Sequence, residues 1–442
     1  MWLIDGTPAL FTDFYELTMA QVYFRQRREQ TASFEVTVRR LPEDWGFFVM
    51  AGLHEIEAYV QAFRFDSEDI AYLRTLETFE PDFLEYLSTF TPNIRMRALP
   101  EGTVFFPYEP ILEVTGPVLD AQLLETYVLN ILGFSIIEAT LATRTVLAAG
   151  DIPVIDFGMR RCQGPIASLR AARGGQIAGF KATSNVFAAR AFGFPPSGTM
   201  AHSYVQIHDS EAQAFRDFAE QFGPRAILLV DTYDTHEGIR IAAAVAREIL
   251  EEKGIEIGGI RIDSGDLVAL SQFARDAFHK EGLDFLKIFV SGDLDEYKIA
   301  DLFAAGAEID GIGIGTRYSA ARHAPALEIV YKITEYDGQG LAKTSPQKTT
   351  RPGRKTVTRT SNAGQYERDV VGPLRPEMED LLQSFAEAES TDAVRARLTR
   401  ELAALPAGVK AIRAPEDYPV DFTESEPGQV NLSSGSPHTG QQ

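Results

Sequence analysis

The chain has 442 residues, with 42 lysines and arginines against 63 aspartates and glutamates, a formal charge of −21, 45% hydrophobic residues and one cysteine. The length suits roughly two or three domains around a large core, and the composition excludes a disordered protein. So negative a chain repels phosphate backbones, which excludes bulk nucleic-acid binding, and its lone Cys162 excludes intrachain disulfides and multi-cysteine zinc sites.

The opening residues, MWLIDGTPALFTDF, carry acids early and lack a basic stretch followed by an apolar one, so no signal peptide is expected. Residues 13–27 form an amphipathic helical run, and residues 31–39 (TASFEVTVR) alternate as a half-buried strand does. The acid-rich stretch 66–90 is expected to be helical, and NIRMRALPEGTVFFPYEPILEVTG after Pro92 reads as a small antiparallel unit. A long helix is expected over 121–149. Its apolar part, 128–150, contains Glu138 and Arg144 and reads as a buried helix rather than a membrane span. The expectation is a soluble, cytoplasmic protein with neither membrane nor nucleic-acid partner.

From Ile152 a unit recurs: a short apolar run, a polar or glycine-rich loop, then a helical stretch. The runs are PVIDFGMRR, AGFKATSN, SGTMAHSY, AILLVDTYDT, GIRIDSGD, KIFVSGDL and GIGIGTRY, ending near Gly158, Thr183, Met200, Val230, Ile262, Val290 and Gly315. Helix starts are expected at Asp209 or Ser210, Thr235, Ser264 and Asp293. Apolar strands alternating with helices imply a parallel sheet covered on both faces. The fold class is therefore α/β, an irregular (β/α) barrel of about seven strands over 121–334. An α+β domain over 1–120, completed by about 335–375, accompanies it. The basic run KTSPQKTTRPGRKTVTR (343–359) contains no acid, a helical region over 376–422 starts at Met378, and the Ser/Gly/Gln-rich 423–442 is expected to be disordered.

In such barrels the active site lies at the carboxyl ends of the strands. Arg160, Arg161, Lys181, Arg261 and Arg317 supply positive charge at the expected strand ends. The turns Ser291-Gly292-Asp293 and Gly311-Ile312-Gly313-Ile314-Gly315-Thr316 can present backbone N–H groups to a phosphate. GIGIG can equally be a tightly packed buried strand. Neither a P-loop nor a dinucleotide-binding glycine motif occurs. His202 would face the same mouth as a base or nucleophile. Asp231, Asp263 and Asp266 suit ribose hydroxyls or Mg²⁺, with helix capping the plainer role for Asp266. Phe157 and Tyr15 suit stacking on a flat heteroaromatic ligand, or the core.

Five motifs, in order, resemble the nicotinate phosphoribosyltransferase family. They are Thr12-Asp13-Phe14-Tyr15, Asp156-Phe157-Gly158-Met159-Arg160-Arg161 with Gln163-Gly164-Pro165, Gly198-Thr199-Met200-Ala201-His202-Ser203, Arg261-Ile262-Asp263-Ser264-Gly265-Asp266 and Gly313-Ile314-Gly315-Thr316. The resemblance spans about residues 7–360. It implies a homodimer with shared active sites, and a carbon–nitrogen bond-forming reaction in NAD salvage. Nicotinate and 5-phosphoribosyl 1-diphosphate would give nicotinate mononucleotide and pyrophosphate, with Mg²⁺ present and ATP hydrolysis coupled. By the same resemblance, Phe157 and Tyr15 of the partner subunit sandwich the pyridine, with Asp13 beside that tyrosine. Arg160, Thr199 and Arg261 surround nicotinate and ribose, Asp263 lies near the ribose, Ser203 contacts substrate, and Gly292, Gly315 and Thr316 cradle the 5′-phosphate. His202 matches the histidine that ATP phosphorylates; His202, Arg261 and Asp263 form the implied catalytic set. The basic run 343–359 resembles a family loop near pyrophosphate or ATP. A cysteine-based zinc site found in some members cannot form here. Nicotinamide and quinolinate phosphoribosyltransferases share parts of this pattern, as would a non-catalytic sugar-phosphate-binding barrel.

Overall fold

A computed structural model describes residues 8–343, 350–375, 378–384 and 389–423. The expected disordered tail, apart from Thr423, lies outside the described residues.

Two six-stranded sheets organise the chain. The first is antiparallel and draws on distant parts of the sequence. Its order is Gln339–Gly340, Ile329–Tyr336, Thr31–Val38, Pro110–Pro117, Arg95–Ala98 and Gln383–Ser384. Thr31–Val38 sits at the centre because its apolar residues pack inward while both edges pair. The helices Phe14–Arg25, Leu53–Ala62, Ser67–Thr75 and Pro81–Ser88 bury apolar residues in the same core as this sheet. The acid-rich stretch 66–90 is two helices, because Pro81 opens the second at a position where its missing N–H costs nothing.

The helix Glu125–Ala149 joins the two halves of the molecule. By length and composition its stretch could cross a membrane, yet 72% of its most apolar window is buried inside the protein. Arg144 within it donates to Glu296 Oε1 (3.2 Å) and to the Ile412 carbonyl (2.8 Å), so its charge is compensated in the interior.

The second sheet is wholly parallel, in the order Ala182–Thr183, Val154–Asp156, Gly311–Ile314, Lys287–Val290, Gly259–Ile262 and Ile227–Leu229. This corrects the expected seven strands to six among the described residues, in a curled open sheet. The missing unit is SGTMAHSY. It follows Pro195-Pro196, neither of which has an N–H for a ladder, and only an isolated bridge from Pro196 to Thr183 forms. Helices cover this sheet with the starts that their caps dictate. Ser210 Oγ accepts from the Gln213 N–H, and Asp234, Asp266 and Asp295 carboxylates cap the next three helices. Two starts therefore fall two residues beyond the expected Ser264 and Asp293.

The C-terminal helix is also shorter than expected. It runs Thr391–Ala404 with Ser390 as N-cap, whereas Gln383–Ser384, inside the stretch read as helical from Met378, adds a strand to the antiparallel sheet. Lys355–Asn362, Gln365–Pro373 and Val420–Phe422 build a separate three-stranded sheet.

Candidate active site

The carboxyl ends of the parallel strands gather most of the sequence-predicted residues into one connected set. Asp156 ends its strand 1% exposed. One carboxylate oxygen accepts the Gly158 N–H (2.7 Å) and the other the Thr183 hydroxyl (2.6 Å). That turn aims the next residue, Phe157, whose N–H is tied to the Ile314 carbonyl at 2.7 Å. A Cβ at position 313 would lie 2.4 Å from the Phe157 ring, so the ring needs glycine there. Gly311 likewise packs on the Phe289 ring. The packed-strand reading of GIGIG thus holds for Gly311 and Gly313, while Gly315, half-buried at the strand end, leaves room beside the Phe157 carbonyl.

Arg261 is the central cation. Its guanidinium lies 5.8 Å from the Phe157 ring centre and donates to Thr199 Oγ1 at 2.7 Å. Burial lowers its pKa; the nearby Asp263 and Asp231 oppose that shift and Arg160 adds to it. These couplings place Arg160, Arg261, Asp231 and Asp263 in one neighbourhood. Arg160 and Arg161 are exposed, and their guanidinium groups make no ion pair or hydrogen bond among the described residues.

The acids beside Arg261 are ordered by short contacts. Asp263 Oδ1 accepts the Ser291 hydroxyl at 2.5 Å. Asp231 Oδ2 accepts the Ser264 hydroxyl (2.6 Å) and the Asp263 N–H (3.2 Å), while its Oδ1 is buried without a partner among the described residues. Asp266 takes the plainer role and accepts two N–H bonds as a helix cap. His202 opens a short helix, and its Nδ1 lies 3.2 Å from Thr232 Oγ1. Ser203 is exposed beside it.

Gly292 adopts φ 104°, and a Cβ there would sit 2.0 Å from the Asp263 carbonyl, so no other residue fits. Its turn stands next to Gly315 and the exposed Thr316, bridged by Arg317.

Three expectations fail. Arg317 does not offer its charge to a ligand: its terminal nitrogens meet Asp293 (2.7 Å) and Asp295 (2.8 Å). Lys181 lies at the opposite face, because it precedes its strand and its N–H reaches the carbonyl of Val154, the first residue of the neighbouring strand. In the basic run 343–359, Arg354, Lys355 and Arg359 are spent on Glu113, Glu35, Asp369 and Glu401. Lys348 in that run lies outside the described residues. Tyr15 is 46% exposed on the first helix; the acids around its hydroxyl are Glu16, Glu125 and Asp13 of its own chain, none of them at the mouth.

Sequence reasoning missed the positioning roles of Asp156, Thr232 and Ser291. A strand-terminal aspartate directly before Phe-Gly, and hydroxyls directly after strands, were the available signals. Among the described residues no group of three or more His, Cys, Asp or Glu could hold a metal. The unpartnered oxygen of Asp231 beside Asp263 instead fits an ion bound through one or two carboxylates, as Mg²⁺ is when phosphates and water complete its shell. A cavity of about 500 Å³ between Phe11, Tyr127, Phe134 and Arg170 contains none of the predicted site residues.

Residues 10–133 match the nicotinate phosphoribosyltransferase N-terminal domain, and residues 152–371 match the nicotinate phosphoribosyltransferase family. The chain is 40% identical over 433 residues to a nicotinate phosphoribosyltransferase of Mycobacterium tuberculosis, covering 96% of this chain and 93% of that one. It is 39% identical over 370 residues to that of Bacillus subtilis, covering 82% and 75%. The crystal structure of human nicotinic acid phosphoribosyltransferase aligns with a TM-score of 0.79 at 28% identity, covering 93% of this chain and 97% of that one. A nicotinate-nucleotide pyrophosphorylase from Pyrococcus furiosus, at 24% identity and a TM-score of 0.73, shares the fold. With four of its five motifs at the carboxyl ends of the parallel strands and these similarities running nearly its whole length, the chain belongs to the nicotinate phosphoribosyltransferase family.

Proposed function

We propose that the chain is a nicotinate phosphoribosyltransferase that couples its reaction to ATP hydrolysis through a phosphohistidine at His202. It joins nicotinate to 5-phosphoribosyl 1-diphosphate, giving nicotinate mononucleotide and pyrophosphate. The observation that carries the reading is Arg261, a half-buried cation set between an aromatic ring, Thr199 and two aspartates, with no acid paired to it directly. Such a group suits a small anionic heteroaromatic acid: the ring stacks on Phe157 while its carboxylate meets a guanidinium.

In the reaction the pyridine nitrogen attacks the anomeric carbon as the bond to pyrophosphate breaks. Positive charge develops on the ribose, where the Asp263 carboxylate lowers its energy. Arg160 and Arg161, whose guanidinium groups have no internal partner among the described residues, meet the departing negative charge. Asp231 and Asp263 would hold a Mg²⁺ ion, which would add to the neutralisation of pyrophosphate. Gly292, Gly315 and Thr316 hold the 5′-phosphate through backbone N–H groups, which fixes the sugar in line. When His202 Nδ1 donates to Thr232, Nε2 keeps its lone pair for the phosphoryl group of ATP.

Assembly as a homodimer belongs to this reading. Phe11, Phe14 and Tyr15 are 43%, 52% and 46% exposed on one N-terminal segment, and Tyr15 closes the partner's nicotinate site against its Phe157. The test is nicotinate mononucleotide formation from nicotinate and 5-phosphoribosyl 1-diphosphate, with and without ATP. ATP should raise the yield, nicotinamide should turn over far more slowly, and His202→Ala should retain transfer but lose ATP-linked yield. Equal use of nicotinamide would overturn the substrate assignment; ATP hydrolysis still matched to product in His202→Ala would overturn the phosphohistidine.

A further inference from the structure

We propose that Arg317 is a positioning residue that clamps the two glycine turns of the phosphate cradle together, with Asp293 and Asp295 as its anchors. The inference rests on the phosphoribosyl-transfer reading and names how that site keeps its shape.

Arg317 follows Thr316 in the short helix after strand Gly311–Ile314, whereas Asp293 and Asp295 follow strand Lys287–Val290. One terminal nitrogen donates to Asp293 Oδ2 at 2.7 Å and the other to Asp295 Oδ2 at 2.8 Å, so the guanidinium spans the gap between neighbouring loops. The Arg317 side chain is only 16% exposed and that of Asp295 5%, so this half of the clamp is unlike a mobile surface pair, whereas Asp293 is 51% exposed. Asp295 is itself fixed: it accepts the Lys298 N–H at 2.8 Å as a helix cap and lies 3.3 Å from His323 Nε2.

The backbone at the other anchor needs holding. Gly292 has φ 104° and Asp293 φ 52°, two successive residues in the left-handed region, where a non-glycine residue is disfavoured. Lys298 Nζ braces Asp293 through its carbonyl (2.8 Å) and its carboxylate (3.3 Å), and Arg317 holds the carboxylate from the other side. Arg317 foremost holds the Asp293 carboxyl down at about 2, so the anchor stays ionised. Two cations and two carboxylates leave this set without net charge. An approaching phosphate gains little attraction from it, so the contribution lies in fixing where the N–H groups of residues 292 and 315–316 point.

A clamp and a direct phosphate ligand predict opposite effects when Asp293 loses its charge. Arg317→Gln should raise the KM for 5-phosphoribosyl 1-diphosphate by roughly ten- to a hundredfold while the KM for nicotinate holds, and Arg317→Lys should recover part of the loss. Asp293→Asn, which keeps a residue tolerant of positive φ, should weaken ribose 5-phosphate binding by calorimetry in the same direction. The double variant should be no worse than Arg317→Gln alone. Tighter ribose 5-phosphate binding by Asp293→Asn, additive losses in the double variant, or an unchanged KM in Arg317→Gln would each overturn the clamp. Should Arg317→Gln fail to fold, Arg317→Lys and Asp293→Asn carry the same comparison. If the wild type binds ribose 5-phosphate yet makes no nicotinate mononucleotide, the functional reading fails and calorimetry on the variants still decides the clamp. If it neither binds nor turns over, both fail.

Discussion

Two groups of arginines and lysines in the molecule are built to opposite rules. Beside the antiparallel sheet, each buried cation has found an acid. Glu113, 2% exposed at the side chain, takes Arg97 and Arg354, and Lys355 meets Glu35 at 2.8 Å. Arg359 is shared by Asp369 (2.6 Å) and Glu401 (2.7 Å). Burial alone would raise the Glu113 carboxyl, yet its two arginines overcome that and hold it below the ordinary range. At the mouth of the parallel sheet, Arg160 and Arg161 make no ion pair among the described residues, and Arg261 holds only a neutral hydroxyl. Local density of cations therefore does not locate an anion site. In a closed interior an unpaired charge costs several kcal/mol, so the fold itself must supply the counter-charge. At an open mouth the ligand can bring it.

The sharpest way to break that contrast is to remove one cation from each region. Arg359→Met leaves Asp369 and Glu401 buried without their partner, and should cost about 3–5 kcal/mol of stability by urea denaturation. A loss near zero would mean that the acids simply take up protons and that pairing is not what fixes the region. Arg261→Met should do the reverse. Catalytic efficiency should fall by about 10²–10³. Stability should change by less than about 1 kcal/mol, because the substitution relieves the burial of a charge whose own acids do not offset it. A destabilisation as large as that of Arg359→Met would erase the distinction.

The same contrast explains what the sequence could reveal. Local rules were legible: the alternation of TASFEVTVR became the central strand, and the helix before Phe222 began at Ser210 as its capping group requires. The gathering of polar residues at the carboxyl ends of the parallel strands was legible too, since they follow strands whose apolar runs are visible. Pairing across long separations was not. Arg97 finds Asp380 at a separation of 283 residues, and nothing local distinguishes Arg354, which is spent on Glu113, from Arg160, which is not spent at all. Arg317 misled for the same reason. The third barrel unit failed differently: its apolar residues suited a strand, but two prolines withheld the donors a ladder needs.

Glu16 is one of the buried acids in the N-terminal half that no cation meets, and it yields the smallest predicted effect. Its side chain is fully buried, one oxygen accepts from Gln122 Nε2 at 2.9 Å, and the other has no partner among the described residues. Burial pushes its carboxyl up from 4.5 to about 7; the nearby Tyr15 and the hydrogen bond from Gln122 pull it back only in part, and Glu125 and Asp13 add to the rise. The folded state therefore holds this proton more tightly than the unfolded chain does. The associated stability is fully present below pH 4.5 and is lost as pH rises through about 7, at no more than about 1.4 kcal/mol per pH unit. Glu16→Gln cannot ionise, so its stability relative to wild type should improve between pH 5 and pH 8, read by urea denaturation at each pH. A difference that stays constant over that interval would mean that Glu16 is ionised throughout. The N-terminal half would then have to offer this carboxylate a counter-charge, and the rule that its buried charges come in pairs would extend to the residue next to Tyr15.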